Sequence, residues 1–354
     1  MAQSLSNTTL DLREAQRLWE PSAPYLNTAS YGLPPRPAWD ALQHVLEDWR
    51  HGRTSWEPWS ESTERARAAF AGLVGVRAEE VAVGATVSQL VALVAAAVPD
   101  GARVLAPEGE FTSLIFPFLA HADRGVQVKT VPLAQLADAV DRETDVVAAS
   151  IVQSATGELL DWDSVGVATE EAGAWLVLDA TQACGWLPLD ATRADFVACA
   201  GYKWLMSPRG TAYLSVRPER LEAVRPLAAN WFAAEDPFGD FYGPPLRLAR
   251  ETRRLDLSPA WFSWVGAAPT LELVAELGVE AIHAHDVELA NRFRTGLGLD
   301  PGNSAIVTTD VTDAQARLAR AGILAAVRAG SLRASFHVYN TEHDVDAALD
   351  ALLV

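Results

Sequence analysis

The sequence predicts an α/β fold with an open, doubly wound sheet and a smaller α/β region at its C-terminal end. Between residues 81 and 216, short apolar strands alternate with helical segments. The segments VVAASIV and AWLVLD are apolar almost throughout, which is typical of parallel strands that helices cover on both faces. After about residue 250, longer helices alternate with short strands. Ligands of doubly wound sheets bind beyond the C-terminal ends of the strands, so functional residues are expected there.

The elements of the first 250 residues follow from apolar spacing and from turn residues. A loop rich in proline and glycine follows the first short helix, and a second loop contains Trp56, Pro58 and Trp59. The expected helices cover residues 10–18, 38–51, 60–74 and 88–97. The expected strands cover residues 81–83, 103–106, 146–152, 175–179, 196–200 and 212–216.

The last hundred residues are predicted to form a compact α/β unit. Its expected helices cover residues 261–277, 286–297, 313–321 and 344–353, and its expected strands cover 304–308, 323–327 and 331–336. We therefore expect three regions: an N-terminal segment that lines the functional site (1–35), a large domain (36–250) and a small C-terminal domain (251–354).

Composition excludes several classes of partner. The net charge of −18, with no run of basic residues, argues against nucleic acid and against an anionic membrane surface. The longest apolar run, residues 90–98, is too short to cross a bilayer, and the N-terminus does not resemble a secretion signal. Two cysteines, Cys184 and Cys199, cannot make a disulfide framework, which favours a reducing cytoplasm. The histidines show no spacing with acids that indicates a metal site.

Two charged residues are expected to meet at the C-terminal edge of the sheet. Asp179 ends one predicted strand, and Lys203 follows the next one 24 residues later. Lys203 is also one of only two lysines among 28 basic residues. Burying an acid and an amine is costly unless each finds a partner, and pyridoxal 5'-phosphate (PLP) satisfies both. Its pyridinium nitrogen would pair with Asp179, and its aldehyde carbon would bind Lys203 as a Schiff base.

A third element can hold the phosphate of such a cofactor. The segment Gly84-Ala85-Thr86-Val87-Ser88 lies between a predicted strand and a predicted helix. Backbone N–H groups at a helix N-terminus, together with the hydroxyls, bind phosphate. A strand-end cap at Asp179 and an ordinary N-cap at Thr86 are the structural alternatives. The order and spacing of the three elements favour the cofactor site.

The segments LDATQACG, AGYKWLMSPRGTA and LRASFHVYNTEHDVD resemble the class V aminotransferase family, on the branch of cysteine desulfurases, isopenicillin N epimerase-like proteins and kynureninase. The resemblance extends from Tyr25 almost to the end of the chain. It implies PLP fold type I, with a mostly parallel seven-stranded sheet in the large domain and a smaller C-terminal α/β domain. It also implies PLP as the cofactor and a homodimer with shared active sites.

The resemblance assigns roles to individual residues. Lys203 matches the Schiff-base lysine, Asp179 matches the acid at the pyridine nitrogen, and Gln182 matches the side chain at the phenolic oxygen. Some of the other cofactor positions differ from the family pattern. Tyr202 stands where many relatives have His, Ser154 replaces a common Asn, and Ala200 replaces a common phosphate-binding Ser. These expected cofactor-binding residues are Ala85, Thr86, Val87, Phe111, Ser154, Tyr202 and Ser258. Phe111 would stack on the pyridine ring, and Ser258 would reach the phosphate of the neighbouring subunit.

The resemblance also implies a substrate site for a small amino acid. Arg333 matches the arginine that binds the α-carboxylate, and a planar guanidinium suits that contact. Arg328, five residues earlier, is the competing candidate. Asn27 and Ala29 fall where the family lines the substrate pocket.

Several reactions remain open. Transamination needs only the lysine, the acid and a carboxylate-binding residue, and we take it as the default. β-Elimination from a cysteine conjugate, as in a C–S lyase, uses the same residues. Epimerisation needs a second proton donor, for which Tyr31 and His337 are candidates. A persulfide-forming desulfurase is not expected, because VRAGSLRASF contains no cysteine. A hydrolytic reaction is favoured by no feature, and a non-catalytic PLP-binding protein is the alternative of another class.

Overall fold

A large and a small sheet organise the chain. The computed structural model describes residues 11–353, so Leu10, where the first predicted helix would begin, lies outside the described residues. The strands are β1 (Val81–Gly84), β2 (Arg103–Pro107), β3 (Gln127–Val131), β4 (Val146–Ser150), β5 (Trp175–Asp179), β6 (Phe196–Ala200), β7 (Ala212–Val216), β8 (Ile306–Thr309), β9 (Ala326–Arg328) and β10 (Ser331–Ser335).

Helices cover both faces of the large sheet and one side of the small one. Within residues 11–353 they are α1 (Leu12–Ala15), α2 (Arg36–Arg50), α3 (Glu57–Leu73), α4 (Val87–Ala97), α5 (Thr112–Leu119), α6 (Leu136–Ala139), α7 (Trp162–Ala172), α8 (Trp261–Leu277), α9 (Val279–Gly296), α10 (Ala314–Arg320) and α11 (Glu342–Leu353). No helix in this part of the chain has the length and apolar character needed to cross a membrane. The cytoplasmic location stays a prediction.

The large sheet has seven strands in the order β1-β7-β6-β5-β4-β2-β3. The strands from β6 to β3 pair in parallel, whereas β7 runs antiparallel to both β6 and β1. The small sheet has the order β8-β10-β9 and is antiparallel. The predicted α/β fold with a mostly parallel seven-stranded sheet is therefore confirmed. Because β4, β5 and β6 are parallel, their C-terminal ends meet at one edge, where Asp179 ends β5.

Four element predictions were wrong in detail. Strand β3 was not predicted, because its sequence QVKTV is half polar and it lies at the exposed edge of the sheet. Pro58 and Trp59 belong to the first turn of α3 rather than to a loop, since a proline there loses no helical hydrogen bond. Helix α9 begins directly after Gly278, seven residues before the predicted start at 286. Residues 151–152 leave β4, and Val152 instead bridges to Leu159.

Alternate residues of each central strand enter different hydrophobic clusters. Val81 and Val83 of β1 belong to the cluster that α3 and α8 cover, while Ala82 faces the cluster under α4 and α5. This alternation is what a sheet with both faces covered requires. A third cluster fills the space between the small sheet and helices α9, α10 and α11. The functional edge of the large sheet is thus built on strands that are buried on both faces.

The boundary predicted at residue 250 does not separate two independently packed parts of the chain. Helix α8 packs against α2 and α3, and its buried residues belong to the same cluster as the central strands. The N-terminal segment instead pairs with the small sheet region, through parallel bridges of Tyr25 with Leu324 and of Asn27 with Ser335. The predicted strand 323–327 is accordingly divided, since Leu324 pairs with Tyr25 and only Ala326 enters β9. The three-region division stays a prediction.

A buried ion pair fastens the segment before α8 to the rest of the large sheet. Asp256 accepts hydrogen bonds from both terminal nitrogens of Arg67 in α3, at 3.1 and 2.6 Å, and from the backbone N–H of Val83 at 2.8 Å. The two charged side chains are 3% and 0% exposed. Removing one partner of such a pair leaves the other charge buried without compensation.

We predict that Arg67→Met lowers the free energy of unfolding by about 3–5 kcal/mol, because the buried Asp256 loses its cation and must either carry an uncompensated charge or take up a proton. Urea unfolding of the purified protein measures the loss. Glu272→Gln is the matched control: it breaks the pair of Arg65 and Glu272, which also joins α3 to α8 but is 54% and 43% exposed. The control should lower stability by less than about 1 kcal/mol. Equal losses in both variants would contradict the structural role of the buried pair.

Candidate active site

One cavity lies at the C-terminal edge of the large sheet and is partly open to solvent. Its volume, counted as room for the centre of a water molecule, is about 90 Å³. Nine of the ten residues predicted as cofactor contacts line it together, and so does Ala200, the replaced contact; the nine are Ala85, Thr86, Val87, Phe111, Ser154, Asp179, Gln182, Tyr202 and Lys203. Segments that are far apart in the sequence therefore converge on one cavity.

Asp179 is fixed at the end of β5 by its local turn. One carboxylate oxygen accepts a hydrogen bond from the backbone N–H of Thr181 at 2.8 Å. The Thr181 hydroxyl in turn accepts from the N–H of Ala200 at 3.0 Å, which ties the turn to the end of β6. Asp179 is only 4% exposed, and burial raises the pKa of its carboxyl. The side chain is thus a fixed acid that favours a cationic or protonated partner.

Lys203 lies in the turn after β6 and is 5% exposed. Burial lowers the pKa of its ammonium to about 8, against the opposing effect of the Asp179 charge. The N-terminal segment closes over this turn, since the N–H of Gly32 donates to the Tyr202 carbonyl at 2.9 Å. A Cβ at position 32 would lie 2.0 Å from the carbonyl oxygen of Lys203, so only glycine fits this approach. The structure thus holds a poorly solvated amine at a fixed point of the cavity.

Aromatic rings flank the amine. The ring centre of Phe111 lies 5.2 Å from the Lys203 Nζ, and that of Tyr202 lies 5.9 Å from it. Phe111 stands directly before α5 and is 41% exposed, although most rings of its size are buried. The Arg209 guanidinium carbon lies 4.7 Å from the centre of the Tyr202 ring on the solvent side. A flat ligand bound at Lys203 would find an aromatic surface in Phe111.

The opposite end of the cavity is the N-terminus of α4. Thr86 is the N-cap, and its hydroxyl accepts from the N–H of Gln89 at 3.3 Å. The Thr86 and Ser88 hydroxyls lie 3.2 Å apart. The first N–H groups of a helix have no partner within the helix, so this end of the cavity is suited to an anion. Both hydroxyls can add hydrogen bonds to the same anion.

Gln182 joins three segments of the chain. Its amide nitrogen donates to the carbonyl of Ala29 and to the Ser154 hydroxyl, each at 3.0 Å. Its amide oxygen accepts from the Trp204 indole at 2.8 Å. The predicted substrate residue Ala29 therefore contributes a backbone carbonyl, and the predicted cofactor residue Ser154 is positioned by the same amide. Gln182 is 3% exposed, so each of these bonds is sheltered from water.

Arg333 approaches the cavity from the small sheet. One of its terminal nitrogens donates to the Ser154 carbonyl, and the other donates to the Ser30 hydroxyl at 2.8 Å. Arg333 is 1% exposed, and its Nε is buried without a hydrogen-bond partner in residues 11–353. Asn27 lies close by, because its backbone bridges to Ser335, and within the same residues its side-chain oxygen also has no partner. Arg333, Asn27 and Ala29 thus adjoin the cavity but do not line it.

Three residues that the sequence predicted for the site lie outside the cavity lining. Ser258 is exposed ahead of α8 and does not line the cavity of its own chain. His337 was a candidate proton donor, which is wrong: it is fully buried, and its ring nitrogens contact Asp286 and the Trp204 carbonyl, both at 2.8 Å. Tyr31, the other candidate, packs against Tyr202 with ring centres 5.5 Å apart and so stands at the cavity rim.

Sequence reasoning missed several cavity residues. Glu110 lies beside Phe111, and its carboxylate accepts from the Ser150 N–H at 2.7 Å and from the Ser150 hydroxyl at 2.6 Å. Burial and the nearby Asp179 charge both raise the pKa of Glu110. The missed residues of the cavity lining are Ser113, Ser150, Thr181 and Arg209, and Glu110 is not part of that lining. Thr181 and Arg209 stand inside the segments that resemble the family, so the sequence could have indicated them. Nothing in the sequence around Ser150 indicated a role for that residue.

Comparisons with known proteins identify the family of the chain. The model of the family Aminotransferase class-V matches residues 25–319. The uncharacterized aminotransferase YcbU of Bacillus subtilis (strain 168) is 28% identical over 334 residues, which cover 88% of this chain and 89% of that protein. The isopenicillin N epimerase of Streptomyces clavuligerus is 29% identical over 391 aligned positions, which cover 95% of each protein.

A solved structure shows the same fold. It is a mutant of the cystine C–S lyase C-DES with glycine covalently linked to its PLP cofactor, and it matches with a TM-score of 0.85 at 20% identity over 97% of this chain and 99% of that chain. Fold and site together define a PLP-dependent enzyme of fold type I. The chain belongs to the class V aminotransferase family, whose model covers most of its length. The family predicted from the sequence is therefore confirmed.

The lowered pKa of Lys203 predicts how fast the amine reacts with an aldehyde at different pH values. Only the neutral amine attacks, so in the cofactor-free protein the rate should rise with pH and level off with a midpoint near 8. An ordinary lysine has its midpoint near about 10.4. Lys129→Arg leaves Lys203 as the only lysine, and stopped-flow absorbance with PLP measures the rate. Asp179→Asn should move the midpoint down, because the Asp179 charge stabilises the ammonium. A midpoint near the ordinary value would contradict the buried amine.

Proposed function

We propose that this chain holds PLP through Lys203 and acts at the α-carbon of a small amino acid, with transamination as its reaction. The observation that carries the proposal is the meeting of a buried acid and a buried amine in one cavity, with a helix N-terminus at its other end. Structural packing alone gives no reason for Asp179 and Lys203 to share such a place, because each charge loses hydration there.

The residues fit this cofactor in charge and in shape. Asp179 is an acid with no cation hydrogen-bonded to it among residues 11–353, and it would pair with the protonated ring nitrogen. The N-terminus of α4, with Thr86 and Ser88, would hold the phosphate. Phe111 offers its exposed ring to one face of the pyridine. The ring nitrogen and the phosphate of PLP thus each have a complementary group on this chain.

When it is bound, PLP supplies an electron-withdrawing ring that stabilises negative charge at the α-carbon of an amino acid. Asp179 keeps the ring nitrogen protonated, which strengthens that effect. Arg333 is positioned to bind the α-carboxylate through a buried guanidinium, and so to orient the α-hydrogen. Lys203, with its pKa near 8, is the base that can take a proton at the α-carbon and return it at another atom.

The site residues favour some reactions of the family over others. Transamination and β-elimination need only Lys203, Asp179 and a carboxylate-binding residue, all of which adjoin the cavity. Epimerisation needs a proton donor on the opposite face, and only Tyr31 of the two candidates stands near the cavity. A persulfide-forming reaction needs a thiol at the substrate, but Cys184 and Cys199 are both buried in the protein interior. Burial also raises the pKa of the Cys199 thiol. Transamination therefore stays the first proposal and β-elimination the second.

The test is a spectrum of the purified protein with PLP, before and after adding single amino acids and cysteine S-conjugates. The wild type should show the visible absorption of a lysine-bound cofactor, and Lys203→Ala should lose it. Conversion to the absorption of the amine form of the cofactor, with release of a keto acid, identifies a transaminase. Release of pyruvate and ammonia with return of the original band identifies an eliminating lyase.

Lys129→Ala is the matched control, because Lys129 is the only other lysine and lies on the exposed edge strand β3. It should keep the wild-type spectrum. A wild type that shows no such band with added PLP would overturn the proposed cofactor. A protein that binds PLP but is changed by no amino acid would support the non-catalytic alternative.

We also propose that the active unit is a homodimer in which Ser258 reaches the phosphate of the partner. Ser258 is exposed and does not line the cavity of its own chain. Large apolar side chains are also exposed on the chain, with Trp39 and Trp49 of α2 at 54% and 58% exposure and Phe116 of α5 at 59%. Exposed aromatic rings of this size are typical of subunit interfaces.

A mixing experiment tests the shared site. Lys203→Ala and Ser258→Asp are expected to be inactive alone, the second because an acid repels phosphate. When the two are dissociated and reassociated together, each mixed dimer has one cavity with an intact Lys203 and an intact Ser258 from the partner. Activity should therefore reappear on mixing. If Ser258 served its own cavity, or if the protein sediments as a monomer, mixing would restore nothing.

A further inference from the structure

The tight hairpin between β9 and β10 carries two arginines. Ala329 and Gly330 connect the strands, with φ values of 48° and 90°. Positive φ at both central residues is the mark of a two-residue turn that matches the twist of a hairpin. For Ala329 this conformation is strained, since only glycine adopts it without steric cost. The chain therefore holds Arg328 at a defined position beside the turn rather than on a loose loop.

The register of the hairpin places both arginines on one face. Arg328 is paired with Ser331, and Arg333 lies two positions further along β10. Residues paired across strands share a face, and so do residues two apart on a strand. Arg328 and Arg333 thus project to the same side of the small sheet, the side that faces the large domain at Ser154.

Both guanidinium groups converge on one hydroxyl. The Ser30 Oγ accepts from Arg333 at 2.8 Å and from Arg328 at 3.1 Å. A serine hydroxyl has two acceptor positions and one hydrogen to donate. Because both acceptor positions face cations, its hydrogen is left to donate to a third group. Two charged donors therefore meet at the Ser30 oxygen, and its own hydrogen points away from both of them.

Neither arginine has a carboxylate within 4.0 Å among residues 11–353. This contrasts with Arg67, whose buried charge is matched by Asp256. The two positive charges also repel each other: burial, and then the Arg328 charge, lower the pKa of Arg333 to about 10. One α-carboxylate can compensate the buried Arg333. The exposed Arg328 would still lack a negative partner.

We infer that Arg328 and the Ser30 hydroxyl form a second anion-binding subsite, which recognises an oxyanion at the end of the substrate side chain. The inference rests on the proposed function, in which Arg333 binds the α-carboxylate. Arg333 is buried next to Ser154, whereas Arg328 is exposed further towards solvent, so the two contact opposite ends of the substrate. The substrate class is therefore an amino acid with an acidic side chain, carboxylate or sulfonate, rather than a neutral one.

Binding of unreactive acids to the PLP-loaded enzyme tests this without any turnover. Succinate and glutarate carry two carboxylates, and butyrate and pentanoate carry one on chains of the same length. Calorimetry should show that the wild type binds each dicarboxylate roughly tenfold or more tightly than the monocarboxylate of the same length. A charge-assisted hydrogen bond contributes a free energy of that size. Arg328→Gln should remove that preference and leave the affinity for the monocarboxylates unchanged.

Arg320→Gln is the matched control, because it removes one exposed positive charge from the same domain, away from the hairpin. It should keep the dicarboxylate preference. If Arg328→Gln weakens the binding of monocarboxylates and dicarboxylates equally, Arg328 binds the first carboxylate, and the inference of an acidic substrate side chain is overturned. The same follows if the wild type shows no preference. Failure of the proposed function gives a different result, since the protein would then take up no PLP at all.

Discussion

The site depends on the burial of opposite charges at the edge of a sheet whose strands are covered by helices on both faces. Asp179 and Glu110 are carboxyls whose pKa values burial raises, and Lys203 is an amine whose pKa burial lowers. Such groups destabilise a protein unless something holds them in place. Here the parallel strands hold them, because β5 and β6 are fixed by their neighbours and end at the same edge. A ligand with both a cationic ring nitrogen and an aldehyde relieves both groups.

Hydrogen bonds to backbone and side chains then connect this edge to the rest of the chain. Gln182 uses its whole amide to hold the N-terminal segment at Ala29, the loop at Ser154 and the ring of Trp204. Gly32 allows the same N-terminal segment to lie directly on the Lys203 turn. Because these contacts are buried, the loss of one would leave polar groups unsatisfied. The N-terminal segment is therefore a structural part of the site.

Two buried arginines differ in whether an acid balances their charge, and this difference separates a structural role from a role in ligand binding. Arg67 is neutralised by Asp256 within the large domain, and the pair fastens α3 to the segment before α8. Arg333 is equally buried but has no acid beside it within residues 11–353, and its charge adds to that of Arg328. In a protein with a net charge of −18, acids to pair with it are abundant. A cation that stays unpaired in such a chain, at the rim of a cavity, is suited to an anionic ligand.

The sequence by itself determined the strands that carry the site, because apolar runs and the polar residues that end them are local features. The bounds of β5, β6 and β7 and the positions of Asp179 and Lys203 were predicted for that reason. Only the tertiary structure decided which distant residues complete the site. Gln182 meets Ala29 across 153 positions, and Arg333 meets Ser30 across 303. Contacts between such distant residues depend on how the sheets pack, which no local pattern encodes.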